Sequence, residues 1–369
     1  MSESPCKSLD SAVSETLQRP SKVPRTQEDW SDEEEGEVAK SMRLNPSRVQ
    51  RYLVAVEYIG TRFFGSQKQL NVRTVVGVLE DAFQKFIGQP VQISLSSRTD
   101  AGVHALSNVC HVDVERISKR KPGEVLPPHD PEVVKRAVNH FLQKNEGDIM
   151  VVDVRCVPTD FHARFKAQER MYFYRLSSGP EPLSTFEKDR SWHVQEKLDL
   201  VSMQEACKIL VGHHDFSSFR ASGCQAKSPI RTLDELSVSE VVPSLYFPSL
   251  TEREQSSLKE DSCCINLKND DDLPVNTISR SDMPGTFNGG NHLGFGMRST
   301  HRCYVVTARA CSFLYHQVRL LVGVLKSVGV GDITMADVRR ILDAKSVTAS
   351  PPMAPACGLY LGHVKYDLP

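Results

Sequence analysis

Residues 91–114 read VQISLSSRTDAGVHALSNVCHVDV, and the pattern of this stretch changes twice. Over about 91–96, and again over 106–114, the residues suit a strand bounded by turn signals. Between them lies a polar and small run: Ser96, Ser97, Arg98, Thr99, Asp100, Ala101, Gly102, Val103 and His104. Gly102 allows a tight backbone path, so the run reads as a turn at a strand end that presents Arg98 and Asp100. A cleft carboxylate and an Asx-turn with a surface arginine both fit this local pattern.

Working outward, Tyr52, Val54, Val56 and Tyr58 alternate with Leu53, Ala55 and Glu57, which predicts a strand over 51–58. Thr74 then opens a helix with Val75, Val78, Leu79, Ala82, Phe83 and Phe86 on one face, and Gly88 ends it. Asp130 as N-cap and Pro131 at the first helical position predict a second helix with Val133, Val134, Ala137, Val138, Phe141 and Leu142 on one face. Further strands are expected at 149–156, 170–176, 232–241, 302–311 and 359–366, and further helices at 199–211, 313–328 and 335–344. Strands clustered between helices indicate the α+β class, with an antiparallel or mixed sheet carrying helices on one face. The order strand, helix, strand, strand, helix, strand over 49–165 is followed by a loosely similar set over 166–369. This suggests a duplicated sheet in two α+β halves with a central cleft, although no sequence-level repeat accompanies it.

The chain has 369 residues, with 45 Lys and Arg against 46 Asp and Glu. Residues 1–50 hold 10 acids and 7 bases, residues 241–300 hold 8 and 5, and the other 259 hold 28 and 33. The body expected to fold is therefore net positive, which permits a polyanionic partner. Residues 1–48 read as a disordered acidic tail and 242–300 as a disordered insertion between two strands able to pair directly. No apolar run approaches the roughly 18 residues needed to span a bilayer. A soluble intracellular protein is expected, with cytoplasm, nucleus and organelle all open. The ten cysteines show no CxxC spacing and read as free thiols.

His104, His111 and Asp113 raise the thought of a metal site, but on one extended strand the two histidines would lie more than about 20 Å apart and on opposite faces. His213 and His214 follow a helix end at Gly212 and read as a loop cap. No GxxxxGK[ST] loop or GxSxG elbow is present. Basic and aromatic residues interleave in Phe161-His162-Ala163-Arg164-Phe165-Lys166 and in Arg170, Tyr172, Phe173, Tyr174 and Arg175. Tyr172 and Tyr174 share a strand face that either lines a cleft, where aromatic rings can stack on unpaired bases, or closes a core edge. Arg319 sits amid Phe313, Leu314, Val318, Leu320 and Leu321, where a cation calls for a carboxylate partner or a path to water.

Together these motifs resemble the TruA family of tRNA pseudouridine synthases. The resemblance runs from about 51 to 369, the 242–300 insertion excepted. It is carried by Phe64-Gly65-Ser66-Gln67, the Arg98–His104 block, Asp160-Phe161-His162-Ala163-Arg164, Arg170 with Tyr172, His214-Asp215-Phe216, Phe313 to Arg319 and Gly358-Leu359-Tyr360-Leu361. The DFHARF and SSRTDAGVHALSN wording resembles the eukaryotic pseudouridine-synthase-like branch.

The resemblance implies isomerisation of uridine in RNA: the bond from ribose C1′ to N1 breaks, the base turns, and C5 is joined to C1′. It implies no metal and no cofactor, a tRNA partner, possibly at the anticodon stem-loop, and a homodimer. Other RNA such as mRNA, or a non-catalytic RNA-binding module on the same scaffold, are the alternatives. By the resemblance Asp100 is the catalytic carboxylate, acting as nucleophile at C1′ or base at C2′. Tyr172 stacks on the target base and helps remove the C5 proton, and Arg319 pairs with Asp100. At about 4 Å and an effective dielectric of about 20, such a pair attracts by roughly 4 kcal/mol. Arg98 braces the extruded nucleotide, Arg164 and Arg170 bind substrate, and Leu359 and Leu361 form the apolar pocket wall. One departure bears on the first loop: Ser66 stands where the family usually has Trp.

Overall fold

The computed structural model describes residues 48–118, 120–121, 123–144, 147–241 and 301–368. The insertion expected at 242–300, and the tail expected at 1–48 apart from Arg48, lie outside the described residues.

Ten strands are described: β1 (Gln50–Tyr58), β2 (Ile93–Leu95), β3 (His104–Val114), β4 (Ile149–Val157), β5 (Glu169–Ser178), β6 (Trp192–Val194), β7 (Gly212–Asp215), β8 (Ile230–Val241), β9 (Arg302–Ala310) and β10 (Leu359–Lys365). They form one mixed sheet in the order β4-β1-β3-β10-β5-β9-β8-β7, with β2 added on β3 and β6 on β5. Most pairings are antiparallel. The exceptions are β5 with β6 and the short parallel join of β10 to β3 through Tyr360↔His104 and Leu361↔Ala105. That join brings the last strand of the chain alongside the strand that follows the Arg98–His104 turn.

Alternation decides which sheet face is covered. In β1 Tyr52, Val54, Val56 and Tyr58 are buried, and in β9 Tyr304, Val306, Ala308 and Ala310 are buried while their neighbours are half-buried or exposed. Five helices contribute the other apolar layer: α1 (Val75–Ile87), α2 (Pro131–Gln143), α3 (Leu200–Leu210), α4 (Gln317–Gly329) and α5 (Met335–Ala344). Their starts follow the capping chemistry of the sequence. Thr74 Oγ1 accepts the Gly77 N–H, Asp130 accepts from Glu132 and Asp199 from Val201, and Thr334 and Asp337 form a capping box. Gly88 ends α1 in the left-handed conformation, at φ 86°.

Three local expectations change. The strand expected over 91–96 contracts to Ile93–Leu95, the three residues that pair with Val112, His111 and Cys110 of β3. The helix expected from 313 starts at Gln317; residues 313–316 form a turn, in which Gln317 Oε1 accepts the Leu314 N–H at 2.8 Å and His316 is left-handed. His213 and His214, expected in a loop cap, lie in edge strand β7, where they pair with Thr232 and Arg231 of β8. Short edge strands carry too few residues to show a period, which is also why β6 was not expected.

Candidate active site

The turn between β2 and β3 is clasped from behind by buried polar groups. The Thr99 N–H donates to Ser66 Oγ at 2.8 Å, and the Ser66 N–H returns a bond to the Thr99 carbonyl at 3.0 Å. Tyr58 and Thr99 share a hydroxyl hydrogen bond of 2.8 Å, and Asn108 Nδ2 donates to both Tyr58 Oη and the Ser97 carbonyl at 3.1 Å. Ser66 and Asn108 are fully buried, so these bonds form away from competing water. Two glycines permit the approach. A Cβ at Gly60 would stand 1.9 Å from the Val103 carbonyl oxygen, and Gly65 has φ 97° with room only up to the Thr99 carbonyl oxygen at 3.0 Å. Ser66 thus fills its place in the first loop as a small hydrogen-bonding clasp.

The Asp100 side chain projects from this fixed backbone toward the start of α4. Arg319 Nη1 lies 3.5 Å and His316 Nε2 3.1 Å from the same carboxylate oxygen, Oδ2. Asp100 is about a third exposed, while His316 and Arg319 are largely covered. Arg319 is itself anchored: its Nε donates to the Ala354 carbonyl at 2.8 Å. The expected Asp100–Arg319 pairing is therefore present as a contact, joined by a histidine that the sequence reading did not single out. The signal available was a second polar side chain at the head of an apolar helix, three positions before Arg319.

Tyr172 on β5 is buried and meets Phe313 edge-on, with ring centroids 5.2 Å apart. Burial pushes its phenol well above the ordinary tyrosine value; nearby Tyr58 and Asp100 push the same way, while Arg170 and Ser97 oppose them. Near neutral pH this hydroxyl is protonated and acts as a donor, so it can take up another proton only if its own moves on in the same step. Leu361 pairs with Tyr172 and Leu359 with Tyr174 across β10 and β5, and both leucines are buried.

Arg170 is placed as a knot. Its guanidinium donates to the carbonyls of Cys311 (2.6 Å), Arg164 (3.0 Å), Ser96 (3.2 Å) and Ala167 (3.5 Å), and to Ser97 Oγ (3.3 Å). It joins the Asp100 turn, the 161–167 turn and the end of β9 at one point. Arg164 is exposed on that second turn, its guanidinium 5.7 Å from the ring centre of Phe165, which is 72% exposed. Arg98 is exposed at the tip of the first turn and makes no ion pair or hydrogen bond among the described residues. Asp100 thus lies against Arg319 and near Tyr172, Leu361 stands beside Tyr172 across the strand pair, and Arg98 and Arg164 are exposed on their turns.

His104 and His111 serve the scaffold separately. His104 stacks on Tyr360 at 4.6 Å and accepts the Gly60 N–H through Nδ1 at 3.1 Å. His111 Nδ1 accepts the Ala163 N–H at 3.2 Å, and burial, with Arg51 and His162 nearby, lowers its pKa to about 4.

A mixed α+β sheet that brings a carboxylate from a strand-end turn to an arginine and a histidine at the start of a helix is consistent with the pseudouridine synthase fold. A family profile described as tRNA pseudouridine synthase matches residues 54–166 and 206–367. The chain is 36% identical over 318 residues to tRNA pseudouridine synthase A of Rhodospirillum centenum, covering 86% of this chain and 100% of the relative. It is 34% identical over 321 residues to the protein of that name from Roseobacter denitrificans, covering 87% and 97%. It is also 36% identical over 326 residues to human tRNA pseudouridine synthase-like 1, covering 86% and 90%. The chain belongs to the tRNA pseudouridine synthase family, and its identities to these bacterial and human relatives are level.

Proposed function

We infer that this protein isomerises uridine to pseudouridine in tRNA, with Asp100 as the reacting carboxylate. The observation that carries this reading is the position of Asp100: the backbone of Thr99 before it is clasped by Ser66, and its Oδ2 lies against His316 and Arg319.

The chemistry is an exchange of glycosidic bonds. The C1′–N1 bond breaks, a new bond joins C1′ to C5, the C5 proton leaves and N1 gains one, so atoms and charge balance within the substrate. The ribose carbon becomes electron-poor as the base departs, and an oriented carboxylate serves either attack at C1′ or proton removal at C2′. Tyr172 and the Leu359–Leu361 wall offer an apolar, aromatic surface for a flipped uracil ring. The protonated phenol donates to the base during rotation and relays the C5 proton. Arg98 and Arg164, on exposed turns either side, suit phosphate contacts and support of the extruded nucleotide, and Arg170 holds both turns in register.

The same reading takes the protein as a water-soluble homodimer of chains, each built of halves 49–165 and 166–369 about the cleft. Among the described residues no helix is long and apolar enough to cross a membrane. The test is tritium release from tRNA carrying 5-tritiated uridine. The wild-type chain is expected to release tritium and Asp100→Asn to bind the RNA without releasing it; turnover by Asp100→Asn at the wild-type rate would remove the assignment.

A further inference from the structure

We propose that His316 is a positioning residue for the reacting carboxylate: with Arg319 it holds Asp100 Oδ2, leaving Oδ1 to face the ribose. The inference rests on the reading of Asp100 as the catalytic group and adds to it the residue that aims it.

His316 Nε2 stands 3.1 Å from Oδ2, nearer than Arg319 Nη1 at 3.5 Å, and both approach the same oxygen. The imidazole is thus set against the carboxylate from the same side as the guanidinium. Two groups set against one side of a carboxylate restrict the directions it can take.

The backbone supplies an independent observation. His316 has φ 63°, in the left-handed region that costs an L-residue about 1 kcal/mol or more. It occupies the N-cap of α4, yet its side chain makes no capping hydrogen bond. An N-cap normally offers an oxygen that accepts from the first turn, and Asn or Asp would serve both the cap and the left-handed backbone better. The turn is closed instead by Gln317, whose N–H reaches the Leu314 carbonyl at 3.0 Å and whose Oε1 takes the Leu314 N–H. The local fold therefore gives no reason for an imidazole here, whereas the contact with Asp100 does. Tyr315 lies against the ring, centroids 3.8 Å apart at 28°, and limits its rotation.

The test uses the full chain, steady-state tritium release and thermal melting, with Asp100→Asn run beside three His316 variants. His316→Asn suits the cap and the left-handed backbone but is too short to reach Oδ2. It is expected to melt at or above the wild-type temperature while kcat falls about 10- to 100-fold and KM for RNA stays within about twofold. His316→Ala should be equally slow. His316→Gln restores a side-chain N–H near the position of Nε2 and should recover most of kcat. A His316→Asn protein with wild-type kcat, or a His316→Gln protein no faster than His316→Asn, would overturn the proposal. Turnover by Asp100→Asn would instead remove the underlying reading, so the two failures are separable.

Discussion

Two turns carry candidate site residues, and they are held by different chemistry. The Ser96–His104 turn is pinned through its backbone by groups that do not titrate near neutrality: Ser66, Asn108, Thr99 and Tyr58, whose phenol is pushed up to about 12 by burial. The 161–167 turn hangs on an imidazole and a guanidinium, through Ala163 N–H to His111 and the Arg164 carbonyl to Arg170, with Tyr366 Oη donating to the Ala163 carbonyl at 2.6 Å. The first turn fixes its backbone and sets the carboxylate side chain against His316 and Arg319. The second offers exposed Arg164 and Phe165 on a support that acid can weaken. On the proposed reading, reaction chemistry would fall to the first turn and RNA contact to the second.

The largest effect should separate them directly. Asp100→Asn is expected to lower kcat at least about a thousandfold with little change in RNA affinity, whereas Arg164→Ala should raise KM several-fold with kcat nearly unchanged. Steady-state kinetics on one tRNA substrate checks both; equal loss of kcat in the two would merge the turns into one functional unit.

Arg170→Lys strikes the knot shared by both turns. Lysine keeps the charge but cannot present five donors in a planar fork, so several backbone carbonyls and Ser97 Oγ lose their partner. Stability should drop by about 3 kcal/mol, read as a shift in urea midpoint, with kcat and KM both impaired. If only KM changed, the guanidinium would matter to the second turn alone.

Ser66→Ala touches the first turn only. It leaves the buried Thr99 N–H without its acceptor, at a cost of about 1–3 kcal/mol, and should lower kcat about tenfold while KM holds. An unchanged kcat would show that the Asp100 backbone is fixed sufficiently by Tyr58 and Asn108.

The smallest effect is a pH dependence confined to the second turn. The folded-state pKa of His111 is depressed to about 4, below its ordinary 6.5, chiefly by burial. Its contribution to stability is therefore complete above pH 6.5 and is lost as pH falls from there through about 4. The melting temperature should decline across that window, and His111→Gln should flatten the decline. An identical acid slope in that variant would place the sensitivity elsewhere.

Much of the framework was legible before any coordinates. Thr74, Gly88, Asp130 and Pro131 mark helix ends because capping is a local interaction, satisfied within a few residues. Strands such as 51–58 and 302–311 were read to within a residue because one covered face imposes a period of two. β6 and β7 escaped for want of length. The start of α4 was placed too early because Phe313 and Leu314 continue the apolar pattern through a turn that only Gln317 and the left-handed His316 define.

The candidate site divides along the same line. The sequence by itself determined the chemical types: a carboxylate in a turn, a cation in an apolar helix, a tyrosine on a buried strand, and a family whose reaction needs such groups. Only the tertiary structure decided who stands beside whom. Asp100 meets His316 and Arg319 across more than two hundred residues of chain, and Ser66 clasps Thr99. These pairings depend on where β10 joins β3 and on how closely glycine backbones approach, which are long-range consequences of packing that no local pattern of residues encodes.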